Sequence, residues 1–217
     1  VLLGIGCGLV AVIFMRAIFW ADDVGSRIQE GLGMSLWARP MCAGAVLGVI
    51  AMQFPQIIGV GYETTDAALN GLLSFEVAVI FLVVKVAAVA ITMAGRMGGG
   101  VFSPALMTGA LFGLAFGAVA TEIFPSAAST TTLYALAGMG GVAGAVFGAP
   151  ISTMLIVFEL TGDWQMAMAV MITVSLSCLV ASKWVARSFF LTQLSRKGVQ
   201  LWLGPQAYLL AMFRVDR

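Results

Sequence analysis

A break of ten residues, Gly95-Arg96-Met97-Gly98-Gly99-Gly100-Val101-Phe102-Ser103-Pro104, lies between two apolar runs at 75–94 and 105–120. Each run is long enough to cross much of a bilayer, whose hydrocarbon core takes about 20 helical residues. A break in that setting is costly, because lipid offers no partners to the backbone it exposes. The glycines keep the chain out of helix, and Pro104, which has no N–H, suits the first turn of a following helix. A helix is therefore expected to begin near Val101. Its first amides lack intrahelical acceptors and carry the positive end of the helix dipole back into the break, which is the outline of an anion site inside a membrane. A hinge or a close helix contact is the competing reading of the same glycines.

The rest of the chain supports a membrane setting. Hydrophobic residues make up 61% of the 217 and charged residues 10%, with mean hydropathy +1.04; a soluble domain is about 45–50% apolar and 25% charged. An all-α, polytopic membrane protein with tilted and broken helices is the expected fold class. The formal net charge of +1 gives no basis for nucleic-acid binding. There is no histidine, and Cys7, Cys42 and Cys178 lie far apart in apolar stretches without a C-x-x-C pair. The cysteines read as buried small hydrophobes, with no metal or cofactor implied and most enzyme chemistry excluded. The chain starts at Val1 in apolar sequence, and the first arginine, Arg16, lies inside the apolar run, so the start reads as a fragment rather than a signal peptide.

In order, residues 1–20 form a spanning-length run, and 22–30 read as a polar surface loop. Pro40 opens a second run at 41–58, where Gly44, Ala45, Gly48 and Ala51 are spaced for close packing; 59–66 read as a loop. Lys85 interrupts the third run and is either functional or a snorkelling or paired lysine. Arg96 either raises the positive potential near the break or reaches a headgroup. Gly109, Gly113 and Gly117 recur every four residues in 105–124, and helix packing explains them better than a binding groove. Residues 129–132 offer hydroxyls as helix N-caps. The stretch 133–160 is expected to be two short helices joined around Gly148-Ala149-Pro150, and 165–185 is the last long run. Lys183, Arg187, Arg196, Lys197, Arg214 and Arg217 concentrate positive charge after it, which places the C-terminus in the cytoplasm.

A rival motif lies in 138–144, Gly-Met-Gly-Gly-Val-Ala-Gly, with Glu159 about twenty residues on, as in a dinucleotide-binding strand–turn–helix. Pro150 would cut the following helix within about two turns, and the flanks carry no polar helix face. A dinucleotide enzyme is therefore the remote alternative.

Gly99-Gly100-Val101-Phe102-Ser103-Pro104 resembles the G-x-F-x-P anion-filter motif of the CLC family of chloride channels and proton/chloride exchangers. Lys85, the stretch AGMGGVAGAVFGAPISTMLIVFELT in 136–161, and SFFLTQLSRKG at 188–198 resemble the same family in the same order. The resemblance implies that 1–195 correspond to the second half of a CLC-type inverted-repeat transmembrane domain, and that 196–217 are a cytoplasmic linker toward CBS domains. It further implies an integral, multi-pass membrane protein, homodimeric, transporting chloride or a similar anion and, in exchangers, protons, without enzymatic activity. The anion would be held by Gly99, Gly100, Val101, Phe102, Ser103 and Pro104, with the amides of Val101 and Phe102 as donors. Phe190 falls where the family has a tyrosine whose hydroxyl donates to the central anion, and Phe189 beside it is also phenylalanine. The alternative within the family is a scaffold or dimerisation half without transport activity of its own, since another filter motif and the gating glutamate belong to the first half. Channel and exchanger are not distinguished by these residues.

Overall fold

The computed structural model describes residues 1–198 apart from 34, 36, 126–128, 163, 186 and 187, and leaves out the side chains of 160 and 161. Its described elements are the helices α1 (Leu2–Leu32), α2 (Ala38–Gln53), α3 (Tyr62–Leu69), α4 (Phe75–Ala94), α5 (Phe102–Ile123), α6 (Thr131–Phe147), α7 (Pro150–Thr161), α8 (Trp164–Trp184) and α9 (Phe189–Arg196), with a 3₁₀ turn at Pro55–Ile57. Helical stretches beginning at Leu2, Phe75, Phe102 and Trp164 are long and apolar enough to cross a membrane. Three of the positively charged residues after the last run, Arg187, Arg214 and Arg217, and the linker from 199 onward lie outside the described residues.

The core forms around α6, in which every residue from Ala135 to Val146 is buried. Lipid is as apolar as these helices, so their association rests on close packing rather than exclusion of water. Glycine makes that packing possible on three sides. A Cβ at Gly138 would lie 2.8 Å from the Cα of Gly113 on α5, one at Gly140 2.8 Å from Val170 on α8, and one at Gly141 3.0 Å from Cys7 on α1. Gly109 meets the Gly138–Met139 backbone while Gly113 meets Tyr134 and Ala135, so α5 and α6 run antiparallel. The four-residue glycine spacing on α5 is thus a packing face. Gly4 and Gly8 of α1 meet Leu176 and Val180 in the same order, so α1 and α8 run parallel.

The dinucleotide reading fails here, because Gly138–Gly144 sit in the middle of a continuous buried helix and no strand occurs among the described residues. The break at 148–150 is where the sequence places it. Gly148 ends α6 at φ 64°, and Pro150 stands in the first turn of α7. Other expectations need correction. Residues 22–30 continue α1 as helix rather than forming a loop. At 31 residues α1 is about 46 Å long, well beyond the roughly 30 Å hydrocarbon core, so the helix carries its own polar end. Tyr62–Leu69, read partly as loop, is helical. The small face of α2 is open, with nothing within 4 Å of a Cβ at Gly44 or Gly48. Cys42 is exposed, Cys178 partly so, and only Cys7 is buried. Thr130 is the N-cap residue of α6, but its hydroxyl makes no capping bond.

Candidate functional site

The break between α4 and α5 leaves a set of unused amides. Met97 N–H still donates to the Thr92 carbonyl at 3.2 Å, and the first bond of α5 runs from Ala105 N–H to the Val101 carbonyl at 3.1 Å. Between them, the N–H groups of residues 98–103 donate to no acceptor among the described residues, and Pro104 has none to offer. Val101, buried at 3% exposure, is the N-cap residue, and no side chain caps the helix. Nothing lies within 4 Å of a Cβ at Gly98 or Gly100, so the backbone of the break borders open space at these two residues.

Three rings stack in a row from the start of α5. Phe102 stacks on Phe147, the last residue of α6, with centroids 5.1 Å apart, and Phe147 stacks on Phe190 of α9 at 5.8 Å. Phe189 turns the other way, buried at 1% exposure and stacked on Phe19 of α1 at 5.2 Å. Phe190 is therefore the member of the pair that joins the Phe102 row. Gly148 makes the junction possible, since a Cβ there would stand 2.7 Å from that of Ser188 at the start of α9.

One wall of the adjoining cavity is the segment Ile57–Val60, which leaves the end of the 3₁₀ turn toward α3. Lys85 Nζ of α4 donates to the carbonyls of Ile57 at 3.0 Å and Gly59 at 3.1 Å, and Ser103 Oγ donates to the carbonyl of Val60 at 2.6 Å. Thr65 N–H and Oγ1 take up the Gly61 carbonyl at 3.0 and 2.9 Å. Lys85 is thus a paired, buried lysine at 3% exposure. Together with the side of α2, these groups and Gly98 to Gly100, Phe102, Ser103 and Pro104 line an apolar cavity of about 650 Å³. Irregular backbone inside a membrane needs protein groups or water to satisfy it, and Lys85 and Ser103 do so for the carbonyls of Ile57, Gly59 and Val60.

Gly98 and Gly99 also border a second, more polar cavity of about 790 Å³, which includes Asp22, Asp23, Arg96, Gln193, Arg196 and Lys197. Most of its charge is paired. Arg39, at 6% exposure, donates to Asp22 Oδ1 at 2.9 Å, to Ser26 and Gln29, and to the Ala94 carbonyl at the end of α4. Arg196 forks onto Asp23 at 2.9 and 3.1 Å and lies 4.6 Å above the Phe19 ring, tying α9 to α1. Arg96 is exposed, pairs with no carboxylate among the described residues, and stands at φ 52°.

Of the residues named from sequence, Gly99, Gly100, Phe102, Ser103 and Pro104 line the apolar cavity, Val101 is the buried N-cap residue between them, and Phe190 connects to Phe102 only through Phe147. Phe147, the Ile57–Val60 carbonyls and Arg39 were missed. Phe147 had a signal, since a large ring immediately before Gly-Ala-Pro must sit at a helix end beside a turn. Arg39 next to Pro40 marked only a helix start, and nothing in its spacing to Asp22 announces their pairing.

Residues 1–182 match the family model described as voltage gated chloride channel. Among curated relatives, the chain is similar to chloride channel protein CLC-f of Arabidopsis thaliana, at 30% identity over 83% of this chain and 25% of that protein. It is also similar to the H(+)/Cl(-) exchange transporter ClcA of Vibrio vulnificus, at 29% identity over 84% of this chain and 39% of that one. The chain therefore spans well under half the length of these relatives. Among solved structures, a slow cyanobacterial Cl−/H+ antiporter superposes with TM-score 0.76 at 22% identity, over 90% of this chain and 45% of that one. A eukaryotic CLC transporter does so with TM-score 0.70 at 24% identity, over 90% and 34%.

Proposed function

The chain belongs to the voltage gated chloride channel family, as an integral multi-pass membrane protein, and from that premise we propose that it supplies one side of an anion pathway. The free amides of Val101 and Phe102 hold the ion, Gly99 and Gly100 let it approach, and Ser103 and Pro104 fix the start of α5. One observation carries this reading: the N–H groups of residues 98–103 have no acceptor among the described residues, and Gly98 and Gly100 beside them border open space.

Partial charges suit transport better than a formal charge placed on the ion, because several moderate contacts bind an anion without trapping it. The helix dipole adds to the amides where the dielectric is low. Phe190 provides bulk and a positively polarised ring edge but no donor, so the central site is weaker than one with a hydroxyl there. Chloride is the transported ion. Proton exchange is the activity named for the Vibrio and cyanobacterial relatives, and it extends to this chain as the exchanger form of the proposal. The C-terminus is cytoplasmic and leads toward a regulatory module.

A scaffold role within a homodimer is the second reading, supported by the exposed apolar face of Ile151 and Leu155 on α7 and Trp164, Met168 and Ile172 on α8. The two readings separate in the complete protein, reconstituted in liposomes and titrated with chloride by calorimetry. Saturable heat that bromide displaces, together with chloride efflux, supports transport. Neither heat nor efflux from a folded dimer would leave only the scaffold.

A further inference from the structure

The start of α5 has no means of its own to fix the direction of its amides. No side chain caps it, the preceding residues are glycines, and Gly98 and Gly100 touch nothing on their Cβ side. Phe102 is held on one flank by Phe147. On the other flank the only hydrogen bond from the first turn to another element is Ser103 Oγ to the Val60 carbonyl, among the described residues. At 2.6 Å it is a short O–H···O bond. What holds Val60 therefore matters to the site.

Val60 follows directly on Gly59, whose carbonyl accepts from Lys85, as does that of Ile57. The segment is short of slack. Gly61 stands at φ 80°, a Cβ there would collide with Met107 Sδ and lie 3.5 Å from Lys85 Nζ, and its carbonyl is already taken by Thr65. No carboxylate pairs with Lys85 among the described residues, so its charge is met by carbonyl dipoles. An intramembrane ammonium is a costly way to fasten a loop. It holds two carbonyls at once, which a hydroxyl cannot.

We propose that Lys85 is a positioning residue for the anion site. Acting through the strap Ile57–Val60, it sets where Ser103 anchors the first turn of α5, and so where the amides of Val101 and Phe102 point. The inference rests on the reading that these amides hold the anion. It assigns Lys85 a role in selectivity, because an ion of different size or shape tolerates a misdirected donor differently.

The test uses the complete protein in liposomes and reads the ratio of chloride to nitrate uptake for Lys85→Met, Ser103→Ala and the double variant. Each single change is expected to shift the ratio in the same direction by about threefold or more, toward the lower end of what one lost net hydrogen bond does to an equilibrium. The double variant is expected to go no further than the larger single, since both changes cut one connection. If Lys85→Met does not yield folded protein, Lys85→Leu takes its place, since it too removes every donor to the strap carbonyls. A wild-type ratio in any folded single variant, or shifts that multiply in the double variant, would overturn the proposal. Absence of anion uptake in the wild type would instead remove the site reading, and this inference with it.

Discussion

A Cβ added at Gly109 would come within 2.8 Å of the Cα of Met139 and against the Gly138 carbonyl, whereas one added at Gly98 or Gly100 would meet nothing within 4 Å. The first glycine lies within α5 and the other two just before it. Along α5 the glycines remove side chains so that a second backbone can fill the space, and α6 does so. Before α5 they remove side chains and the space stays open, beside amides with no acceptor. The first arrangement holds helices together where hydrophobic burial cannot. The second leaves polar backbone available at a helix start, which is affordable in a membrane only if something polar comes to occupy it.

The largest effect separating the two groups is expected from Gly113→Ala. Its Cβ would press on the Tyr134 carbonyl and lie 2.9 Å from the Cα of Ala135, both backbone atoms that cannot rotate away. Overpacking of this kind costs about 3 kcal/mol, and thermal unfolding in detergent should show a clear drop or loss of monodisperse protein. Next comes Val101→Pro, which deletes one donor at the break. Chloride affinity by calorimetry should fall by about tenfold or more, as for a lost hydrogen bond to a charged partner, with some backbone distortion adding to it. Phe190→Tyr should act in the opposite sense, tightening chloride binding by up to about tenfold if the new hydroxyl reaches the ion, and by less where water already fills that position. Unchanged affinity with the hydroxyl seen on the ion would remove the weak-site claim. The smallest change is expected for Gly100→Ala. Its unfolding should stay within about 0.5 kcal/mol of wild type, while chloride affinity falls a few-fold because the added methyl crowds the approach. Loss of folding here would erase the distinction between the two glycine groups.

The break, the helix beginning near Val101 and the split at 148–150 were legible because glycine and proline act on local backbone, which the sequence states directly. The packing stripe on α5 was legible for the same reason as any helical periodicity. The stretch 138–144 resembled a loop motif along the chain, because glycines clustered for packing on three neighbours share its spacing, but Pro150 and the apolar flanks already told against that reading. The membership of Lys85 in the strap was not legible. It depends on two carbonyls more than twenty residues away, those of Ile57 and Gly59, and backbone acceptors carry no sequence signature. The polar end of α1 was misread because charges mark an exit from the membrane, not an end to helix.

The central claim is that an anion occupies the open glycine break and not the packed seam. Anomalous diffraction from crystals of the complete protein grown in bromide tests it most directly. The account predicts a bromide peak within hydrogen-bonding reach of the Val101 and Phe102 amides, next to the Phe102–Phe147–Phe190 stack. Bromide bound elsewhere along the pathway, with those amides satisfied by protein groups, would contradict it.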